Sequence, residues 1–169
     1  MSHASRRAIG PFQPAERQKG AVLAPIVSST EVARPVQETF AYVTDPRTMP
    51  EWQQGCVRGR LDGAPAHVGA TCTTVRRIGG REREVITEII EYDPPRRWAD
   101  RGISGPIRAK VAVTIEPLAE GSRSRVTIEV DFAGHGIGKL LVPLIVRRQA
   151  ASEMPENMRR LKQRLESGS

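Results

Sequence analysis

No apolar run in this sequence approaches the roughly 20 residues of a membrane-spanning helix, so no transmembrane segment is expected. Cysteine is nearly absent: Cys56 and Cys72 are the only two, with no CxxC pair between them. They read as small apolar fillers in a reducing compartment. A bridge between neighbouring strands stays open until the pairing geometry is known. Histidine is equally scarce, with His3, His67 and His135 in all. No Ser/His/Asp order, HExxH, EF-hand loop, P-loop or zinc-ligand spacing is present, and no metal or cofactor is expected. Long runs of like charge are missing too. The net charge is +7 and 22 of the 26 basic residues are arginine, but they are scattered. A basic surface favours anionic partners in general. Dispersed arginines fit a solvated surface better than a nucleic-acid face, so no nucleic-acid partner is expected.

What is there suits one domain. A chain of 169 residues can bury about two-thirds of its surface around a single core. Residues 1–24 are polar, basic and proline-containing without periodicity, and they read as a flexible tail. Arg6-Arg7 resembles a twin-arginine signal, but the apolar segment that should follow is replaced by Pro11, Gln13, Pro14, Glu16 and Arg17. Export is therefore not expected, and a cytoplasmic location is.

From Pro25 the pattern changes. PIVSSTEVAR alternates and predicts a strand. In RPVQETFAYVTDPRTMPEW, Pro35 suits the first position of a helix, and Val36, Phe40 and Val43 form one buried face. Asp45-Pro46 predicts a restart, with Asp as N-cap, and Pro50 is expected to stop that second turn. Strands are then predicted over 55–62, 69–78, 81–92, 96–104, 107–117 and 123–133. Gly79-Gly80, Asp93-Pro94-Pro95 and Glu120-Gly121 supply turns between them. Val111, Val113 and Ile115 share one face, opposite Lys110, Thr114 and Glu116, as antiparallel strands with one wet side do. From about Ile137 the pattern is helical. Leu140, Leu144, Ala151, Met154, Met158, Leu161 and Leu165 make one stripe, with Arg147 in its only gap. Pro155 sits in the interior, where it costs a hydrogen bond and predicts a kink.

The order is one strand, two short helices, six strands and one long helix. A curved antiparallel sheet with this order needs its concave face closed. The long helix crosses the hollow, and the two small helices plug one end.

EVARPVQETFAYVTDPRTMPEWQ, ITEIIEYDPPRRWA and the final LKQRLES together resemble the START-like, Bet v 1-like superfamily. Within it they are most similar to the bacterial polyketide cyclase/dehydrase-like (SRPBCC) proteins. The resemblance covers residues 26–166. It implies an α+β helix-grip fold: a seven-stranded antiparallel sheet wrapped around a long C-terminal helix, with two short helices between strands 1 and 2 and an apolar cavity inside. The domain is expected over residues 25–166. The superfamily holds carriers, receptors and enzymes, so the fold does not choose among them.

Candidate ligand-contacting residues are Trp52 and Trp98, the only tryptophans, with Val111 and Val113 on the sheet and Leu144, Arg147, Met154 and Met158 on the helix. Each has an ordinary reading beside the functional one. Tryptophans pack sheet ends, and methionine stripes fill cores. Arg147 points at the apolar face, where it needs a buried acid, an escape to solvent or an anionic ligand group. Thr71, Thr73, Thr87 and Glu84 or Glu88 are candidate polar groups inside. His135, in a loop before the helix, is the one weak candidate for acid–base catalysis.

The preferred expectation is binding, transport or sequestration of a hydrophobic small molecule such as a lipid or polyketide-like aromatic. The alternatives are a cyclase or dehydratase using the same cavity, and a basic module touching a membrane surface or nucleic acid through GIGKLLVPLIVRR.

Overall fold

The computed structural model describes residues 24–63, 65–104, 108–132 and 141–167, with the backbone alone for 141–145. The strands are β1 (Ile26–Val32), β2 (Cys56–Asp62), β3 (Thr71–Ile78), β4 (Arg81–Asp93), β5 (Arg97–Ser104), β6 (Ala109–Leu118) and β7 (Arg123–Phe132). The helices are α1 (Val36–Val43), α2 (Met49–Trp52) and α3 (Leu141–Ser167). All seven strands form one antiparallel sheet in the order β1-β7-β6-β5-β4-β3-β2. The first two strands are thus the two edges, and α1 and α2 bridge the distance between them.

The sheet curves because its strands carry irregularities. β4 runs 13 residues, with register shifts against β5 between Ile86 and Thr87 and between Ile89 and Glu91. A further shift lies between Cys56 and Arg58 at the start of β2. Extra residues in one strand of a pair bend it and increase its twist. At the β3–β4 turn, Gly79 and Gly80 both have positive φ, as a two-residue hairpin requires.

The core lies between the concave face and α3. Met154, Met158, Leu161 and Leu165 of α3 pack with Val113, Ile115, Val126 and Ile128 of the sheet. The C-terminal end of α3 is fastened to the end of β1. Lys162 Nζ donates to the Glu31 carbonyl at 2.7 Å, Arg34 Nε to the Leu165 carbonyl at 2.7 Å, and the Ala33 N–H to Glu166 Oε1 at 2.9 Å. A second tie joins the link after α2 to α3: the Gln54 N–H donates to Asn157 Oδ1 at 3.0 Å. The roof of the hollow is therefore fixed at two places along its length.

Several local expectations need correction. Pro35 is the extended N-cap residue of α1, one position before the helix. Asp45 and Pro46 open a turn, held by Asp45 Oδ1 accepting from the Arg47 N–H at 2.9 Å, and the helix itself begins at Met49. Pro50 stands inside the first turn of α2 instead of ending the preceding one. Proline is tolerated there because first-turn N–H groups have no intrahelical acceptor. Pro155 stands in the interior of α3 and faces solvent. The bridge left open between Cys56 and Cys72 is not made, and both are buried free thiols. Cys72 stands opposite Leu61 across the β2–β3 pair while Cys56 stands opposite Arg76, so the register separates them. Residues 1–23 and the start predicted for the last helix at Ile137 lie outside the described residues.

Candidate functional site

Under α3 the sheet leaves a cavity of about 210 Å³. Its floor is apolar where β6 and β7 contribute Val111, Val113, Ile128, Val130 and Phe132. Its roof is Val146, Ala150 and Met154 of α3, and its end wall is Met49 and Trp52 of α2. Alternation along the strands puts these side chains on one face, and the helical stripe meets them from above. Gln53, Gln149, Glu153 and Asn157 are partly exposed lining residues, and Arg77 beside them is exposed. They mark the side where the cavity meets solvent.

The wall formed by β3, β4 and β5 is different. It brings Cys72, Thr74 and Arg76, Thr87, and Asp100 to the cavity. Arg76 Nη2 donates to Gln53 Oε1 at 2.7 Å, and Thr74 Oγ1 donates to the Val85 carbonyl at 3.4 Å. Asp100 is the chief polar feature: its residue is 8% exposed, and its Oδ2 accepts from the Trp98 Nε1–H at 3.0 Å. Burial pushes the Asp100 carboxyl above its usual range, against the opposing pull of the Trp98 hydrogen bond and the Arg76 charge. Burial, with the nearby Asp100 and Asp62 charges, pushes the Cys72 thiol up to about 12. It is a protonated filler, not a nucleophile.

The residues singled out from the sequence fall in different places. Trp52, Trp98, Val111, Val113 and Met154 line the cavity. Trp98 also packs edge-on against Tyr92, with ring centroids 5.8 Å apart, so its structural and cavity-facing roles coexist. Trp52 is buried, and its Nε1 has no hydrogen-bond partner among the described residues. Met158 is buried in the core cluster next to the cavity and does not line it. Arg147 is partly buried, is not among the described residues of the cavity wall, and has its Nη1 buried without a hydrogen-bond partner among the described residues. The side chain of Leu144, His135 and most of the GIGKLLVPLIVRR segment lie outside the described residues.

Among the candidate polar groups, only Thr87 lines the cavity. Thr71 and Thr73 donate instead to Asp62 Oδ2, at 3.2 and 2.6 Å. Glu88 pairs with Arg101 and Glu84 is exposed, both on the outer face. The competing faces of β4 resolve as Val85, Thr87 and Ile89 inward. Asp100, Thr74 and Arg76 were missed. The signal for Asp100 was present: it lies two residues after Trp98, so an inward Trp98 puts Asp100 on the same face.

The sequence matches the family model for polyketide cyclase/dehydrase and lipid transport over residues 24–166. No curated protein is similar to it in sequence. Among solved structures, a START superfamily protein from Mycobacterium smegmatis superposes with a TM-score of 0.70 at 15% identity, covering 86% of this chain and 99% of that one. A protein of Thermus thermophilus superposes with a TM-score of 0.69 at 14% identity, covering 86% of this chain and 99% of that one. The di-domain ARO/CYC protein BexL of the BE-7585A biosynthetic pathway matches with a TM-score of 0.63 at 15% identity, over 83% of this chain and 46% of its own. At these identities the likeness is one of fold. With a family match spanning the sheet, both small helices and α3, the chain belongs to the polyketide cyclase/dehydrase and lipid transport family of the START/Bet v 1 superfamily, and its architecture is the helix-grip fold.

Proposed function

We propose that the protein binds a hydrophobic small molecule in the cavity between the sheet and α3. The observation that carries this reading is the hollow itself. Native interiors are packed to crystal-like density, yet here the two most apolar surfaces of the fold stand apart over about 210 Å³. Removing apolar ligand surface from water supplies about 25 cal/mol per Å² buried. The partly exposed rim at Gln53, Gln149 and Glu153 gives a way in. The test is extraction and native mass spectrometry of the purified protein, with thermal shifts against lipids and aromatic compounds. A co-purified apolar molecule or a saturable shift is expected. In Ala150→Trp, which places an indole in the roof, that shift should disappear while the helical content stays. No bound molecule and no shift across the library would refute the reading.

A second reading is favoured by one specific observation. Asp100 is a buried carboxyl at the cavity wall, the kind of group a cyclase or dehydratase uses for proton transfer. On that reading Asp100→Asn would abolish turnover of a poly-β-ketone substrate while leaving its binding intact. The third reading, a basic membrane or nucleic-acid module, is weakened by pairing. Arg123 and Arg125 share Glu31, Arg159 and Arg160 share Glu156, and Arg101 holds Glu88. Charges neutralised in this way add little to a phosphate-binding field.

A further inference from the structure

Asp100 presents the cavity with hydrogen-bonding capacity that no other described residue uses. Asp100 Oδ2 is occupied by the Trp98 indole, while Oδ1 makes no hydrogen bond among the described residues. Its cross-strand neighbours are Ile89 on β4 and Val111 on β6, neither of which carries a side-chain donor or acceptor. The titratable groups around it are Cys72 and Arg76 on β3, with Glu153 lining the cavity from α3. Arg76 has one of its terminal nitrogens on Gln53. On α2, the Trp52 Nε1–H is a solvent-inaccessible donor without an acceptor among the described residues, so it is not itself open to the cavity. A polar group left unmade in an apolar site is costly, and a ligand that completes it gains what water cannot offer there.

We infer that the ligand is an apolar molecule bearing a carbonyl oxygen, and that the Asp100 carboxyl is the donor that receives this oxygen. The inference rests on the cavity being a ligand site. A carboxyl group whose one oxygen accepts from an indole has its other oxygen free to carry the proton and donate. Burial favours that neutral form. A plain hydrocarbon chain would leave the Asp100 oxygen unpaired.

Three naphthalenes that differ only in the 2-substituent test this by calorimetry or fluorescence in mildly acidic buffer: 2-acetylnaphthalene, 2-ethylnaphthalene and 2-naphthoate. The ketone should bind at least about tenfold more tightly than the ethyl compound. Asp100→Leu should remove that preference while keeping affinity for the ethyl compound, and Asp100→Asn, which retains an N–H donor, should keep most of it. Trp52→Phe should leave the preference in place, and its loss there would overturn the assignment to Asp100. If Asp100→Leu does not fold, the infrared carbonyl stretch of bound 2-acetylnaphthalene replaces it. A stretch lowered in the wild type and displaced in Asp100→Asn supports the inference, and a stretch identical in the two overturns it. Equal binding of ketone and ethyl compound overturns the inference and leaves the cavity reading standing. Tightest binding of 2-naphthoate overturns it in favour of anion recognition by Arg76. Binding of none of the three overturns the cavity reading and the inference with it.

Discussion

Gly59→Ala is a substitution whose sign only the structure sets. Gly59 lies within β2, opposite Thr74 of β3, and its φ is not positive, so an alanine is permitted by its own backbone. Strand residues gain from replacing glycine. The unfolded chain loses freedom, and a stabilisation of about 0.4–1 kcal/mol follows where nothing opposes it. Here something does. A Cβ on Gly59 would run into the Pro46 carbonyl oxygen, with the Pro46 carbonyl carbon at 3.0 Å and its Cβ at 3.1 Å. Two of those three neighbours are backbone atoms of a buried residue, so no side chain can rotate out of the way. Overpacking of this kind costs about 1–3 kcal/mol. The net is a destabilisation of about 1–2 kcal/mol, or about 3–8 °C in Tm for a domain of this size. Pro46 begins the link that carries α2, and α2 carries Trp52 over the cavity. The variant should therefore also weaken binding of a cavity probe. Urea denaturation with a fluorescence readout, together with a probe titration, measures both. A Gly59→Ala protein as stable as the wild type, or more so, would refute the close approach and the reasoning built on it.

Leu161→Ala removes a fully buried side chain of α3 and should cost about 2–5 kcal/mol by urea denaturation, with a cost under 1 kcal/mol counting against the packing of α3 on the sheet. For Asp100 the sign of the pH dependence follows from burial. The folded pKa lies above the unfolded value of 3.8, so below 3.8 neither state pays for ionisation. From 3.8 upward to the folded-state pKa, the unfolded chain releases its proton first and stability falls, by at most about 1.4 kcal/mol per pH unit. Asp100→Asn lacks this loss, so its stability relative to wild type should rise with pH across that window; a flat or falling difference would contradict the buried carboxyl. The Cys72 thiol, pushed up to about 12, should resist iodoacetamide in the folded protein at mildly alkaline pH and react once the chain is unfolded, as peptide mapping would show.

Much of the fold was legible because its signals are local. Period-two alternation in Val111/Val113/Ile115 and Val126/Ile128/Val130, the Gly79-Gly80 hairpin and the three-four stripe from Met154 to Leu165 each depend on residues a few positions apart. Where the reading slipped, the competing local signals were equal. Val85/Thr87/Ile89 and Ile86/Ile90 are both plausible inward sets for β4. Register shifts at Ile86/Thr87 and Ile89/Glu91 change the phase of such a strand, and nothing in its own residues announces them. Pro50 reads equally well as a helix stop or as a first-turn residue, and only the placement of α2 against α3 decides.

The chain's order of elements, its turns and the apolar faces of its strands and last helix were determined by sequence, because they follow from side-chain periodicity and from backbone freedom at single residues. The polar end of the cavity was decided by tertiary structure alone. Cys72, Arg76, Thr87 and Asp100 sit on three different strands, and they become neighbours only when bulges bend the sheet and register aligns it. The character of Asp100 likewise depends on what surrounds it: the same carboxyl in water is an ordinary acid, and burial between Ile89 and Val111 raises its pKa against the pull of the Trp98 hydrogen bond and the Arg76 charge.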